Sequence, residues 1–472
     1  MKRRQLFKVG AGGVGALALA QCARFSAGDG LRVTGQPAAD ASMAAIASSR
    51  DGLLDVEFAA AARRVALADR EVTLLGYGGR VPGPRFEIRA GDRVRLNFTN
   101  RLTQPTNLHF HGLHVTPTGS GDNPFRKIAP GKAFTYEFDL PATHPGTLAW
   151  YHPHLHGTVA EQLFGGLAGL MVVRGAIDEI PEVKAAREEF LVLQDFRFDD
   201  RGQIAPPAAG RRVLGREGDR AYVNGEVNPQ IAIASGALVR LRMVNASPSR
   251  FYRLQLEGHP FYLIGTDGGA IAAPVELDEI LLVPGERVDV LVKGDRDSGQ
   301  FRLRNLPYNR GSMGMMGGGM MGGMMGGAPA DESDAQVLAT LTYAGSVEPQ
   351  PLPERLLDIS PLPEPSQTRR FAMNHGMAPM QGMVFLMDGK PFDPDRVDTR
   401  VRLGDVEEWE LVNTGIMDHP FHLHAHPFQV VSRNGQPEPY LAWKDTVLVP
   451  TGESARVRVK FADYPGKTVY HC

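Results

Sequence analysis

One pattern occurs three times along this chain, and it limits what the chain can become. Gly91-Asp92-Arg93-Val94-Arg95-Leu96 runs on to Asn100, Gly236-Ala237-Leu238-Val239-Arg240-Leu241 to Asn245, and Gly404-Asp405-Val406-Glu407-Glu408-Trp409 to Asn413. In every copy the Gly and the Asn stand nine residues apart. Between them apolar and polar residues alternate, as a half-buried strand requires. A turn and a further strand-like run follow each copy, at Pro130-Gly131, Pro284-Gly285 and Pro450-Thr451-Gly452. The 54 Gly and 35 Pro fit many turns and short strands rather than long helices. The expected fold is therefore all-β: three Greek-key sandwiches at about 50–175, 176–345 and 346–472. The third copy is expected to be incomplete, because Val469-Tyr470-His471-Cys472 reads as a strand still running at the last residue.

At 472 residues and 43% hydrophobic content the chain is too long for a single core. A formal charge of -2 gives no reason to expect a nucleic-acid partner. Met1-Lys2-Arg3-Arg4-Gln5-Leu6-Phe7-Lys8, followed by a Gly/Ala/Leu/Val run to Ala20, reads as an export signal over residues 1–30. It is too short to span a bilayer stably, and its paired arginines resemble the type read by the twin-arginine export machinery. The expected location is the periplasm or another exported compartment. Cleavage near Ala20 and lipidation at Cys22 are both open, although Gln21 fits a lipoprotein site poorly. Cys22 and Cys472 are the two cysteines, so loss of the signal leaves no disulfide.

Histidine is grouped rather than scattered. His109-Phe110-His111, His152-Pro153-His154 and His422-Leu423-His424 each place two imidazoles two residues apart. On extended backbone such residues share a face, so each pair is a metal clasp. His419 has the opposite parity to His422 and is followed by Pro420, which assigns it to a different site. The clasps lie in the first and third copies, which must pack together for them to meet. The middle copy offers His259 alone and reads as a spacer. His471 and Cys472 are adjacent and face opposite ways on a strand. A thiolate beside an imidazole selects copper from the metals that imidazole alone would accept.

This ordered set of motifs, with the triplicated domain, resembles the multicopper oxidase family, in particular its three-domain bacterial branch of periplasmic cuprous oxidases, spore-coat laccases and bilirubin oxidases. The resemblance covers essentially everything after the signal. It implies cupredoxin-like domains and four copper ions in a full-length protein. His109 and His422 would hold type 2 copper. His111, His152, His154, His424 and His471 would hold the binuclear type 3 pair, and His419 and Cys472 the type 1 ion. The family also places a histidine directly after the cysteine, then a further histidine and usually a methionine. None follows Cys472, so the chain as written is expected to be inactive.

The implied reaction draws single electrons from a reductant at type 1 copper, relays them through Cys472 and His471, and reduces O₂ to water. Asp122, in Ser120-Gly121-Asp122-Asn123-Pro124, matches the family's acidic residue near the cluster and is the candidate proton donor; an exposed turn aspartate is the plainer alternative. The run from Met313 to Gly327 holds seven Met and eight Gly and reads as a flexible loop. With Met377, Met380 and Met383 it offers soft thioethers suited to Cu(I), against the alternatives of a bare connector and core filler. Asp445, in Trp443-Lys444-Asp445-Thr446-Val447, matches a family stretch near type 1 copper and is a candidate ligand for a substrate copper ion. The expected function is Cu(I) oxidation in copper tolerance. A phenol-oxidising laccase and a copper-free exported scaffold are the alternatives, and a copper nitrite reductase needs fewer clasps than are present. His114, His144 and His375 read as surface or satisfied residues, and His156 and His426 extend clasps without a copper role in the family.

Overall fold

A computed structural model describes residues 32–33, 46–67, 70–207, 215–310, 335–378 and 382–472. The export-type segment, Cys22, the Met/Gly run and Met380 lie outside the described residues. The chain forms three cupredoxin-like β-sandwiches, each made of two facing sheets. The repeated segment plays one structural part in all three. Arg93–Asn100, Leu238–Asn245 and Val406–Asn413 are central strands. Each runs parallel to the strand that opens its domain, Leu53–Leu67, Arg187–Phe196 or Gln367–Ala378. Each runs antiparallel to the strand after the Pro/Gly turn, Ala133–Asp139, Arg287–Lys293 or Ser454–Lys460.

The Gly and Asn that bracket each repeat are the strand's two ends. Gly91, Gly236 and Gly404 have φ of +87°, +85° and +92°, a conformation that costs L side chains energy. At the other end the Asn amide closes the loops. Asn245 Nδ2 donates to the carbonyls of Arg250 and Leu282, while its Oδ1 accepts from Ser247 N–H. Asn100 does the same with Gln104, Ile128 and Leu102, and Asn413 with Met417, Val449 and Gly415. Asn245→Ala strips partners from two buried carbonyls and an N–H and should destabilise by roughly 2–4 kcal/mol in urea unfolding. A loss below about 0.5 kcal/mol would show that water replaces the amide.

Alternating burial holds along Arg93–Asn100 but fails in the second copy, where all eight residues of Leu238–Asn245 are buried. The outer face of that strand is covered. Leu238 packs with Ile177 and Val183 of the linking segment, and Val244 packs with Leu148 and Trp150 of domain 1. Arg240 and Arg242, the polar residues of the pattern, are buried as ion pairs with Asp178, Glu188 and Asp289. Among the described residues no helix is long and apolar enough to cross a membrane.

Candidate metal centre

Two short strands carry most of the site. His109–His111 lies at the edge of its sheet and pairs with Thr147–His152 in the register His109 to His152 and His111 to Trp150. In domain 3, His419–Leu423 is central, paired with Thr446–Val449 on one side and Tyr470–His471 on the other. Apolar residues between the histidines anchor both clasps, Phe110 in the first core and Leu423 in the third. The edge of domain 1 and the middle strand of domain 3 face each other, and seven imidazoles converge between them.

The seven fall into three groups. The Nε2 atoms of His154, His424 and His471 form a triangle with sides of 2.9, 3.1 and 3.1 Å. His109 and His422 meet with their Nε2 atoms 3.4 Å apart. His111 and His152 lie on the Trp150 side, with ring centroids 5.7 Å apart. Burial among like neighbours keeps six of these rings neutral. It pushes His152 and His471 down to about 3, and His109, His111, His154 and His424 well below the ordinary imidazole value.

The arrangement fits bound metal. Three ring nitrogens at such separations cannot all be satisfied by one another, and the spacing is close to the ~3.3 Å that tetrahedral bonds of about 2.0 Å impose. His152 Nε2 and His424 Nδ1 are buried without any hydrogen-bond partner. His152 Nδ1 is engaged by the Pro153 carbonyl and His422 Nδ1 by the Asp445 carbonyl, which leaves the other nitrogen of each free to coordinate.

His419 turns away from this cluster, as its parity predicts. Its Nδ1 lies 3.2 Å from Cys472 Sγ, and the Phe385 ring meets it edge-on at 5.9 Å. One peptide bond thus separates a sulfur beside His419 from an imidazole in the cluster.

Asp122 is no exposed turn residue: it is 1% exposed, and its carboxylate accepts from His109 Nδ1 at 2.9 Å and from Phe110 N–H at 3.0 Å. Burial raises it to about 7 against the opposing pull of that N–H.

Asp445, the candidate ligand for a substrate copper ion, is buried and lies on the cluster side. Its Oδ1 lies 3.0 Å from His111 Nε2, and Arg287 grips both its oxygens at 2.7 and 2.6 Å. Burial opposes its charge, but Arg287 holds it well below the usual carboxylate range. With His111 and His422 it forms a group whose ligand atoms lie within 4.8 Å of one another on the cluster side.

Arg287 belongs to domain 2, so that domain is more than a spacer. Its guanidinium also donates to the carbonyls of Leu148, Gly285 and Asp267. Asp267 and Glu286, also from domain 2, hold Lys444 at 3.2 and 2.7 Å. Gly112, which ends His109-Phe110-His111-Gly112, has φ +94°, and a Cβ there would strike the Arg287 guanidinium. That glycine was the one trace of Arg287 in the motif. His259 is satisfied by the Glu257 carbonyl and the Tyr343 hydroxyl. Met377 and Met383 are cross-strand partners in a hairpin, with Met377 78% exposed.

Known proteins share this sequence and architecture. Three multicopper oxidase family models match residues 60–177, 192–321 and 362–472. A multicopper oxidase of Staphylococcus haemolyticus is 27% identical over 84% of this chain and 80% of its own length. The cell division protein FtsP of Edwardsiella tarda is 32% identical over 81% and 78%. The solved structure of a Campylobacter jejuni multicopper oxidase, described as a metallo-oxidase, superposes with a TM-score of 0.78 at 30% identity, covering 90% of this chain and 89% of that one. With three family models matched in order along the chain and a solved multicopper oxidase sharing its architecture, the chain belongs to the multicopper oxidase family, in its three-domain bacterial form.

Proposed function

We propose that this protein is an exported oxidase that couples one-electron oxidation of Cu(I) to reduction of O₂, serving copper tolerance. The observation that carries this reading is the adjacency of two donor sets, the His419–Cys472 pair and the seven-imidazole cluster, joined by the Cys472–His471 peptide. Copper held by these residues would supply one-electron transfer at the first set and O₂ reduction at the second. His109 and His422 would hold type 2 copper. His111, His152, His154, His424 and His471 would hold type 3 copper, and His419 and Cys472 type 1. Four Cu(I), one O₂ and four protons become four Cu(II) and two waters. Export is supported by the paired arginines and apolar run at the N-terminus.

Protons must enter a cluster that burial keeps dry. Asp122 is placed for this, since its carboxyl bonds directly to the His109 ring and can hold or pass a proton there. Asp122→Asn, which retains the shape, should slow O₂ uptake by about 10²–10⁴-fold while copper content stays the same. Loss of copper in parallel with activity would make Asp122 a structural residue instead.

For the reductant, the hairpin above His419 is the guide. His375 and Phe385 are partners in it, and Met377 and Met383 form the next pair on the same face toward the tip. Thioethers there would receive Cu(I). The test compares O₂ uptake with Cu(I) and with a phenol, on this chain and on the product of its whole reading frame, each reconstituted with copper. Met377→Leu/Met383→Leu should raise KM for Cu(I) about tenfold or more and leave phenol turnover alone. Good phenol turnover without Cu(I) oxidation would favour the laccase reading. Failure of both products to retain copper would favour a copper-free scaffold.

A further inference from the structure

Outside the cluster, a second group of ligating side chains spans the same domain junction. His114 follows the His109–His111 strand, His426 follows His419–Leu423, and Asp463 follows Ser454–Lys460. Each offers one ligand atom, and these atoms all lie within 4.8 Å of one another.

Their hydrogen bonding turns acceptors toward one another. His114 Nδ1 meets the Ala425 carbonyl, which can only accept, so the ring proton sits on Nδ1. The Nε2 lone pair then faces Asp463 Oδ1 at 2.8 Å. Two acceptors in that position repel unless a cation or a second ring proton lies between them. A doubly protonated His114 would satisfy this pair but not the third member. His426 is 5% exposed, and its Nδ1 is buried without a partner. Ala425, whose carbonyl orients His114, holds φ +64°, a conformation that costs a non-glycine residue about 1–2 kcal/mol.

We infer that His114, His426 and Asp463 form a binding site for a divalent transition ion that prefers nitrogen and oxygen donors, of the Zn(II) type, separate from the seven-imidazole cluster. Two imidazoles and a carboxylate are a sufficient protein ligand set, and a carbonyl on the far nitrogen of His114 is the usual way such a ring is oriented. The side chain of Asp463 is 49% exposed, so the site opens to solvent and leaves room for a water as fourth ligand. An ion there would tie domain 1, through His114, to domain 3, through His426 and Asp463, at the junction that holds the cluster.

The test is total bound metal per chain. Protein reconstituted with copper is equilibrated with Zn(II), dialysed and analysed by mass spectrometry for both elements, alongside Asp463→Asn, His114→Gln and the control His156→Gln. The first two variants should each hold one metal equivalent fewer than wild type and the control, and Zn(II) should raise the Tm of wild type but not of these two. Melting in a chelator establishes that all variants are folded, and Asp463→Asn at a half-exposed position keeps its shape. Equal total metal in wild type, Asp463→Asn and His114→Gln, with equal Tm shifts, would overturn the assignment.

Discussion

Arg287→Met should cost roughly 3–5 kcal/mol of stability, the size expected when one member of a buried ion pair is removed and its partner stays charged. Arg287 is fully buried and is gripped by Asp445, while Asp267 lies 3.4 Å from it. Lys444 gives Asp267 a second cation, but among the described residues no other Lys or Arg pairs with Asp445. The experiment is urea unfolding of four proteins: wild type, Arg287→Met, Asp445→Leu and the double variant. The double variant should be more stable than Arg287→Met, since removing both members leaves no orphaned charge. The His111 ring, released from Asp445, should also bind copper less tightly. An Arg287→Met loss below about 1 kcal/mol, or a double variant no better than the single, would mean that this guanidinium does not hold Asp445 in place.

Copper-free protein should lose stability steeply below about pH 6.5. Burial pushes His152 and His471 down to about 3, and His144 and His426 to about 4, against about 6.5 for an unfolded imidazole. A group whose folded value is depressed binds fewer protons folded than unfolded across that window, so stability falls as pH drops from 6.5 toward the folded value. Each such ring costs about 1.4 kcal/mol per pH unit. Asp122 works the other way. Its folded value of about 7 lies above the unfolded one, so the folded state gains as pH falls from 7 to about 4. These five groups together remove about 4 kcal/mol per pH unit between about pH 6 and 4. His109, His111, His154 and His424 act in the same sense as the other rings. Two pH units therefore consume a large part of a typical stability of 5–15 kcal/mol. Denaturant midpoints measured at half-unit steps from pH 7 to 4.5 check this. A flat profile would mean that water reaches these rings and leaves them near their ordinary values.

Much of the architecture could be read before any coordinate. The Gly-to-Asn repeats mark the central strand of each sandwich, because a left-handed glycine and a loop-closing amide are local requirements at a strand's two ends. The clasps were legible for the same reason: residues two apart on a strand share a face wherever that strand lies. The parity that separated His419 from His422 is the same argument; its pairing with Cys472 came from the family resemblance, and the fold brings the two within 3.2 Å.

What the sequence could not settle was anything set by packing between domains. The family match made Asp122 the candidate proton donor, but its neighbours Gly, Asn and Pro left an exposed turn aspartate as the plainer alternative. Asp122 is buried because His109, thirteen residues earlier, folds against it. Asp445 sits one residue from Thr446, and no local rule indicates that Arg287, 158 residues away, closes on it. The buried outer face of Leu238–Asn245 follows equally from domain 1 and the linker covering it. Strand periodicity and clasp spacing are local properties of the backbone, so the sequence determined the three sandwiches and the set of histidines. Burial, charge pairing and the meeting of domains are properties of surfaces that come together only on folding. The tertiary structure alone therefore decided that Asp122 and Asp445 are buried against the imidazoles, that Arg287 from the middle domain holds Asp445, and that His114, His426 and Asp463 come together.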